Sequence, residues 1–285
     1  MLRKITNVKV IKAIDYILLN LHNQLSVEHV ANYCNSSKYH FNRIFREQTG
    51  ESIYAFVKRL RIETSAFRLG LHTNHRITDI ALDYGYSSSN FSTVFAKHMA
   101  ISPSKLKKLK RENNYDTTSP FDSSVIQYQN YHYYNDRIVI NNLENVNVVF
   151  NRYIGSYKDL RLLWPQFIQE HSLLCTDNTR FIEITWNDPN ITDHNRCLFD
   201  LCISVDQNNV VPTNKLIKGC KVATFSFKGP APNINEAYKG LVNVWLPQSP
   251  YLPLGRPAHD FYIGCCPRTG DVEIDINVAI KTSMD

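Results

Sequence analysis

The sequence predicts two domains of different class. The N-terminal part reads as all-α, built on two helix-turn-helix units. The C-terminal part reads as α+β, built on two repeated strand–helix–strand–strand modules. Three observations carry this. Val27–Ser52 matches Ile77–Ser102 without a gap, at an offset of 50 residues. From Arg137 onward, helical periodicity gives way to alternating apolar residues. Charge also divides the chain. Residues 1–111 hold 18 Lys+Arg against 7 Asp+Glu (+11), and residues 112–285 hold 14 against 19 (−5). A basic half points to a polyanion partner, and an acidic half would be repelled by phosphates.

The remaining bounds come from composition. The chain has 285 residues, 43% hydrophobic, enough for packed cores. No run of eighteen apolar residues is present, so no transmembrane helix and no membrane partner are expected. The N-terminus MLRKITNVKV lacks an apolar signal core, so a cytoplasmic location is expected. Seven cysteines occur without a CxxC pair, and no His cluster stands at zinc spacing. Reduced, buried thiols are expected, with no metal and no cofactor; the vicinal Cys265–Cys266 pair is the candidate for redox sensing.

Residues Val8–Leu21 place Val8, Ile11, Ile14, Leu18 and Leu21 on one helical stripe. Ser26 is positioned to cap the next helix, which turns Val27, Val30 and Ala31 inward. Asn35 falls where the turn needs a positive φ, and Gly85 takes that place in the second copy. Ser37–Thr49 is the first candidate recognition helix. Phe41, Ile44 and Phe45 face the core, leaving Lys38, Tyr39, Asn42, Arg43 and Arg46 outward. Arg can bind guanine bidentately and Asn can bind adenine, so this face suits DNA. Gly50 ends the helix.

A long helix, Ser52–Leu69, would span ~25 Å at ~1.5 Å per residue and so separate two reading helices by roughly one turn of DNA. Thr78 is positioned to cap the next helix. Ser88–His98 is the second recognition helix, with Ser89, Asn90, Thr93 and Lys97 outward; it is the less charged of the two. Ser102-Pro103 opens a last helix ending in KLKKLKR.

IALDYGYSSSNFSTVFAKHMAISPSKLKK resembles the signature of the AraC/XylS family of transcription regulators, and NSSKYHFNRIFREQTG resembles that family's first recognition helix. RLRIETSAFRL is similar to its connecting helix. The resemblance covers about residues 8–110. It implies a seven-helix domain, double-stranded promoter DNA as partner, and DNA contact by Tyr39, Asn42, Arg43, Asn90 and Thr93, with RNA polymerase a further candidate partner. Two positions depart from the pattern: Ala100 replaces the usual Gly, and Ile53 replaces a common Pro.

Residues 112–136 read as a linker, with TTSPFDSS its most loop-like part. In residues 137–285, the first module is expected as strand Val146–Tyr153, helix Lys158–Leu174, strand Phe181–Trp186 and strand Cys197–Val205. The second is expected as strand Lys221–Lys228, helix Ile234–Leu246, strand His259–Gly264 and strand Val272–Ile280. Trp164, Trp186, Trp245 and Tyr262 are large stackable side chains, and Asp260 would be an acid among them. Aromatic faces with a desolvated carboxylate attract organic cations. Core packing is the plain alternative for any one Trp. An exposed strand position is the alternative for Asp260, and Glu183 and Glu236 are further candidates.

NRYIGSY, WNDPNIT, LFDLCISV, KGCKVATFSFKG, VNVWLPQSPY and HDFY, in that order, resemble a GyrI-like small-molecule-binding domain. The resemblance implies an amphipathic, often cationic ligand, with Asp260 standing where the family has Glu. The expected function is a transcription regulator controlled by a small effector, and not an enzyme, since no nucleophile–base pair is otherwise visible. Two alternatives stand beside it: a C-terminal domain that docks a protein partner without binding a small molecule, and a GyrI-like hydrolase using Asp260 and Tyr262.

Overall fold

The computed structural model describes residues 2–71, 75–111, 129–206, 214–265 and 270–282. The chain divides into two compact units. The first is Met1–Ser124 together with Asp188–Arg196, and the second is Val125–Asn187 together with Cys197–Asp285. Residues 112–128 of the expected linker, and Cys266, lie outside the described residues.

The first unit is helical after a short strand, β1 (Arg3–Ile5). Helix α1 (Val8–Leu19) starts at Asn7, whose side chain accepts from the Lys9 and Val10 amides. It buries Val10, Ile11, Ala13, Ile14 and Ile17. Val8, expected on the stripe, is half exposed because it sits in the first turn, and Leu21 is buried just beyond the helix end.

The repeat appears in three dimensions at the same offset. Helices α2 (Val27–Tyr33) and α3 (Lys38–Thr49) match α5 (Ile77–Asp83) and α6 (Ser88–Met99). Val30, Ala31, Phe41 and Phe45 are buried, as are Ile80, Ala81, Phe91 and Phe95. Asn35 (φ 49°) and Gly85 (φ 76°) make the two turns in the left-handed region. Gly50 (φ 82°) and Ala100 (φ 55°) end α3 and α6 there as well. Holding a Cβ in that region costs about 1 kcal/mol at Ala100. One capping expectation fails. Ser26 accepts from His29 as expected, but α5 begins after Arg76 without a side-chain cap, and the Thr78 hydroxyl bonds Asp79 instead.

Helix α4 (Ile53–Leu71) joins the copies, and α7 (Pro103–Arg111) follows the second. Buried in α4 is an ion-pair chain that apolar periodicity did not reveal. Arg59 lies between Glu51 at 2.8 Å and Glu63 at 3.1 Å. Glu63 also meets His98 Nε2 of α6 at 3.2 Å and accepts from the Thr192 hydroxyl at 2.9 Å. Arg196 donates to Glu51 at 2.7 Å. One network thus ties the residues just after α3, the connecting helix α4, the end of α6, and the Asp188–Arg196 segment of this unit.

The second unit opens with α8 (Tyr131–Asn135), a helix capped by Asn130 where a linker was expected. Its Tyr134 is buried against Phe225. Strand β2 (Ile138–Asn142) follows. Then come β3 (Val146–Gly155), α9 (Leu160–Glu170), β4 (Phe181–Thr185) and β5 (Cys197–Ser204). After β6 (Asn214–Ile217) come β7 (Lys221–Pro230), α10 (Ile234–Lys239), β8 (Tyr251–Pro253), β9 (Ala258–Cys265) and β10 (Asp271–Thr282).

The sheet order is β3-β5-β4-β9-β10-β7-β2, with β6 on β3 and β8 on β10. These pairs are antiparallel. Two expected helices are shorter than their apolar patterns. The first is flanked by 3-10 turns at Tyr157–Asp159 and Ser172–Leu174. The second passes at Gly240 into a π-helical turn, Gly240–Trp245. Gly240 packs against the Tyr134 ring, where any Cβ would collide.

Alternation gives the sheet two chemically different faces. One carries Val149, Tyr153, Phe199, Leu201 and Ile203, packed against Leu163 and Phe167 of α9. The other carries a row in register: Arg152, Asp200, Ile184, His259, Asn277 and Thr224. Arg152 and Asp200 are both fully buried, with Arg152 donating to Asp200 at 2.7 and 2.8 Å. Lys215 and the Trp186 indole also bond Asp200. Burial alone would raise the Asp200 pKa, but the charges of Arg152 and Lys215 hold it well below the carboxylate range. Asp200→Asn should therefore cost about 3–5 kcal/mol in urea unfolding, because it leaves buried cations without their anion. A loss below about 1 kcal/mol would show that the pair is dispensable.

Candidate functional site

In the first unit, the outward faces of α3 and α6 present the expected side chains unequally. Tyr39 is 85% exposed, and Lys38, His40, Arg43 and Arg46 are exposed beside it. The Lys38 ammonium lies 5.9 Å from the Tyr39 ring centre. Arg43 pairs with Glu47 at 2.8 Å on the open surface, a pairing worth well under about 1 kcal/mol and easily exchanged. On α6, Ser89, Asn90, Thr93 and Lys97 are exposed, and Thr93 bonds back to the Ser89 carbonyl at 3.1 Å.

Asn42 has a different task from the one its helix position suggested. Its side chain is half-buried, and its Oδ1 accepts from the Ile53 amide at 3.0 Å, capping α4. The repeat supplies the reason. The counterpart of Ile53 is Pro103, which has no N–H, and the counterpart of Asn42 is the exposed Ser92. Once the first copy has Ile in place of Pro, an amide appears at the first turn of α4, and Asn42 satisfies it.

In the second unit, the helix-facing side of the sheet holds two acids side by side. Strands β4 and β9 pair so that Glu183 stands directly opposite Asp260. Both are buried, at 3% and 2% exposure. Tyr262 donates to Glu183 Oε2 at 2.8 Å, and Tyr238 of α10 donates to Asp260 Oδ1 at 2.5 Å. Trp164 of α9 meets Tyr262 edge-on with ring centres 4.9 Å apart, and its indole N–H is buried without an acceptor among the described residues. Burial pushes the Glu183 carboxyl up to about 7. Burial and the neighbouring Glu183 push Asp260 well above its ordinary range. The Tyr238 and Tyr262 hydroxyls are raised by burial and by the same two acids.

Of the five effector candidates, Trp164, Asp260 and Tyr262 come together here. Trp186 does not. It lies on the opposite face, donating to Asp200 at 3.0 Å with Arg152 and Lys215 over its ring. Trp245 is 3% exposed in the π-helical turn, stacked on Tyr251 and donating to Asn135. Glu236 is exposed on α10. The Asp260–Tyr262 pair imagined for hydrolysis is not formed, since strand neighbours two apart bond different partners. Glu183 was only a further candidate in the sequence, and Tyr238 was not one. The signal for Glu183 was a lone acid in the apolar alternation FIEIT; Tyr238 had none, because its role depends on where α10 lands.

Two outcomes follow. Asn42→Ala should lower stability by about 1 kcal/mol in urea melts, the usual cost of a lost cap. An unchanged midpoint would return Asn42 to the reading face. The acids give the second. Because their folded pKa values lie above the unfolded ones, the native state holds extra protons, and stability should fall as pH rises from about 4.5 towards about 7. Glu183→Gln should flatten that slope in melting temperature relative to the parent chain; parallel slopes would refute the buried pair as its source.

Residues 137–281 match the GyrI-like small molecule binding domain, and residues 30–109 match a helix-turn-helix domain. The uncharacterized HTH-type transcriptional regulator YbfP of Bacillus subtilis is 39% identical over 93 residues, 32% of this chain and 31% of that protein. The HTH-type transcriptional activator AarP of Providencia stuartii is 36% identical over 86 residues, 30% of this chain and 63% of that protein. The match thus spans less than two thirds of either relative. Among solved structures, the EcmrR C-terminal domain aligns with 55% of this chain and 99% of its own, at 15% identity and a TM-score of 0.45. With half of its length matched from β2 to β10, the chain belongs to the GyrI-like family, and it carries an AraC-type helix-turn-helix domain ahead of that region.

Proposed function

We propose that this protein is a sequence-specific transcription regulator that binds promoter DNA with both helix-turn-helix units and responds to a cationic amphipathic effector held at Glu183 and Asp260. One observation carries the DNA half. Two copies of one unit present exposed helix faces at the same register, and the first is rich in Lys, Tyr and Arg. Tyr39, Arg43 and Arg46, with Lys38, supply most of the specificity in this reading. Asn42 contributes through the start of α4. Ser89, Asn90, Thr93 and Lys97 hold the second unit in register on the phosphates. Paired buried acids beside Trp164 and Tyr262 support the effector half. Occupancy would change DNA affinity or contact with RNA polymerase through a coupling of about 1–3 kcal/mol. We read β3–α9–β4–β5 and β7–α10–β9–β10 as one ancestral module used twice, with β8 an addition in the second half.

Mobility shifts on a selected DNA site should weaken steeply with salt, by a log–log slope of roughly −0.9 per phosphate contact. A flat salt response would remove DNA as the partner. Arg43→Ala should cost about 1–3 kcal/mol and relax preference at one base pair, whereas Lys97→Ala should weaken all sequences alike. For the effector, a cationic amphiphile should quench tryptophan fluorescence, and Trp164→Phe should abolish that quench. Silence across a panel of such compounds would favour a domain that docks protein partners instead.

A further inference from the structure

We infer that Thr192 and Arg196 are positioning residues for DNA reading: they hold α3 and α6 on α4, and so set the half-site spacing that the protein accepts. This rests on the proposed reading of α3 and α6 as DNA-reading helices. The Asp188–Arg196 segment belongs to the first unit, although in sequence it lies between β4 and β5, inside the 137–281 match to the small molecule binding domain. Thr192 is 1% exposed and donates its hydroxyl to Glu63 Oε2 at 2.9 Å. Arg196 donates to Glu51 Oε1 at 2.7 Å. Each of these acids stands at a helix end. Glu51 directly follows Gly50, the left-handed residue that closes α3. Glu63 of α4 meets His98, in the last turn of α6, at 3.2 Å.

Charge counting shows what the segment supplies. Without Arg196, Glu51 and Glu63 share the single guanidinium of Arg59; with it, two acids meet two. Glu63 Oε2 accepts from both Arg59 and Thr192, which leaves Oε1 for His98. A buried network with every atom satisfied fixes one geometry, and one that lacks a donor does not. The segment is itself braced. The Ile191 and Thr192 amides donate to the Asp188 carbonyl at 3.0 and 2.9 Å, and the Arg196 amide donates to the Asp193 carbonyl at 2.7 Å. The Asp188 and Asp193 carboxylates accept from the Asn190 and Asn195 amides. Thr192 and Arg196 are thus presented by a pre-organised turn, which lowers the ordering cost of their bonds. The consequence falls on DNA, because two heads in one chain engage together only where their separation matches the groove repeat.

Mobility shifts of the full chain test this on a selected two-half site, on the same site with one base pair inserted between the halves, and on the site with its second half scrambled. The insertion moves one half by about 3.4 Å and turns it by roughly 35°. The parent chain should lose at least about tenfold in affinity on the inserted duplex, as one head disengages. Thr192→Val combined with Arg196→Gln should cut that loss to about threefold or less. Its affinity for the scrambled duplex should stay within about twofold of the parent, because no side chain on the outward face of α3 has changed. Thr192→Ser with Arg196→Lys keeps the hydroxyl and the charge and should restore the parental penalty. A Val/Gln variant that keeps the full penalty would overturn the inference. So would one that weakens all three duplexes alike, the mark of a merely structural role. A parent chain indifferent to the insertion would overturn it too, while leaving the DNA reading in place. A parent chain with no preference among DNA sequences would overturn the DNA reading itself, and this inference with it.

Discussion

The second unit depends on the parity of its strands. Adjacent residues on a strand point to opposite faces, and a sheet with both faces covered puts each into its own low-dielectric layer. In β4, β5 and β9 that rule sorts three acids. Asp200 falls on the face with Arg152 and Lys215 and is fully compensated. Glu183 and Asp260 fall on the other face, opposite one another, beside the hydroxyls of Tyr262, Tyr238 and Thr185 and with no cation paired to them among the described residues. A one-residue slip of β9 against β4 would put His259 in place of Asp260, so register here decides chemistry as well as packing.

The first unit solves a different problem: holding α3 and α6 rigidly relative to the connecting helix α4. Aromatic pairs do this locally, as Phe45 against Phe56 with ring centres 5.3 Å apart. The Glu51–Arg59–Glu63 chain does it over a longer range, since Glu63 also engages His98 near the end of α6. A buried network of this kind adds less net stability than its charges suggest, but it fixes one arrangement.

Much of this was legible beforehand. The repeat fixed α3 and α6 to within a residue, because matching apolar positions at an offset of 50 residues leave little freedom, whereas α5 starts two residues before the Thr78 cap would place it. Helix ends in the second unit were not, since apolar periodicity runs on through Gly240 while the Tyr134 contact and the π-turn do not show in it. Residue type alone did not show that Trp164, Asp260 and Tyr262 come together while Trp186 and Trp245 pack elsewhere, because an indole's surroundings are not written in its residue type. The capping bond of Asn42 was not legible for a related reason: its partner, Ile53, is eleven residues away, and only the comparison with Pro103 explains the bond.

The placement of Asp188–Arg196 in the first unit means that the chain crosses the boundary between units more than once. A cut at the linker therefore does not separate them cleanly. A fragment ending near residue 111 leaves Glu51 and Glu63 without Arg196 and Thr192, and a fragment beginning near residue 137 carries a segment whose hydrogen-bond partners stayed behind. The polypeptide is therefore not two modules in series, and neither half is a fair stand-in for its behaviour in the whole.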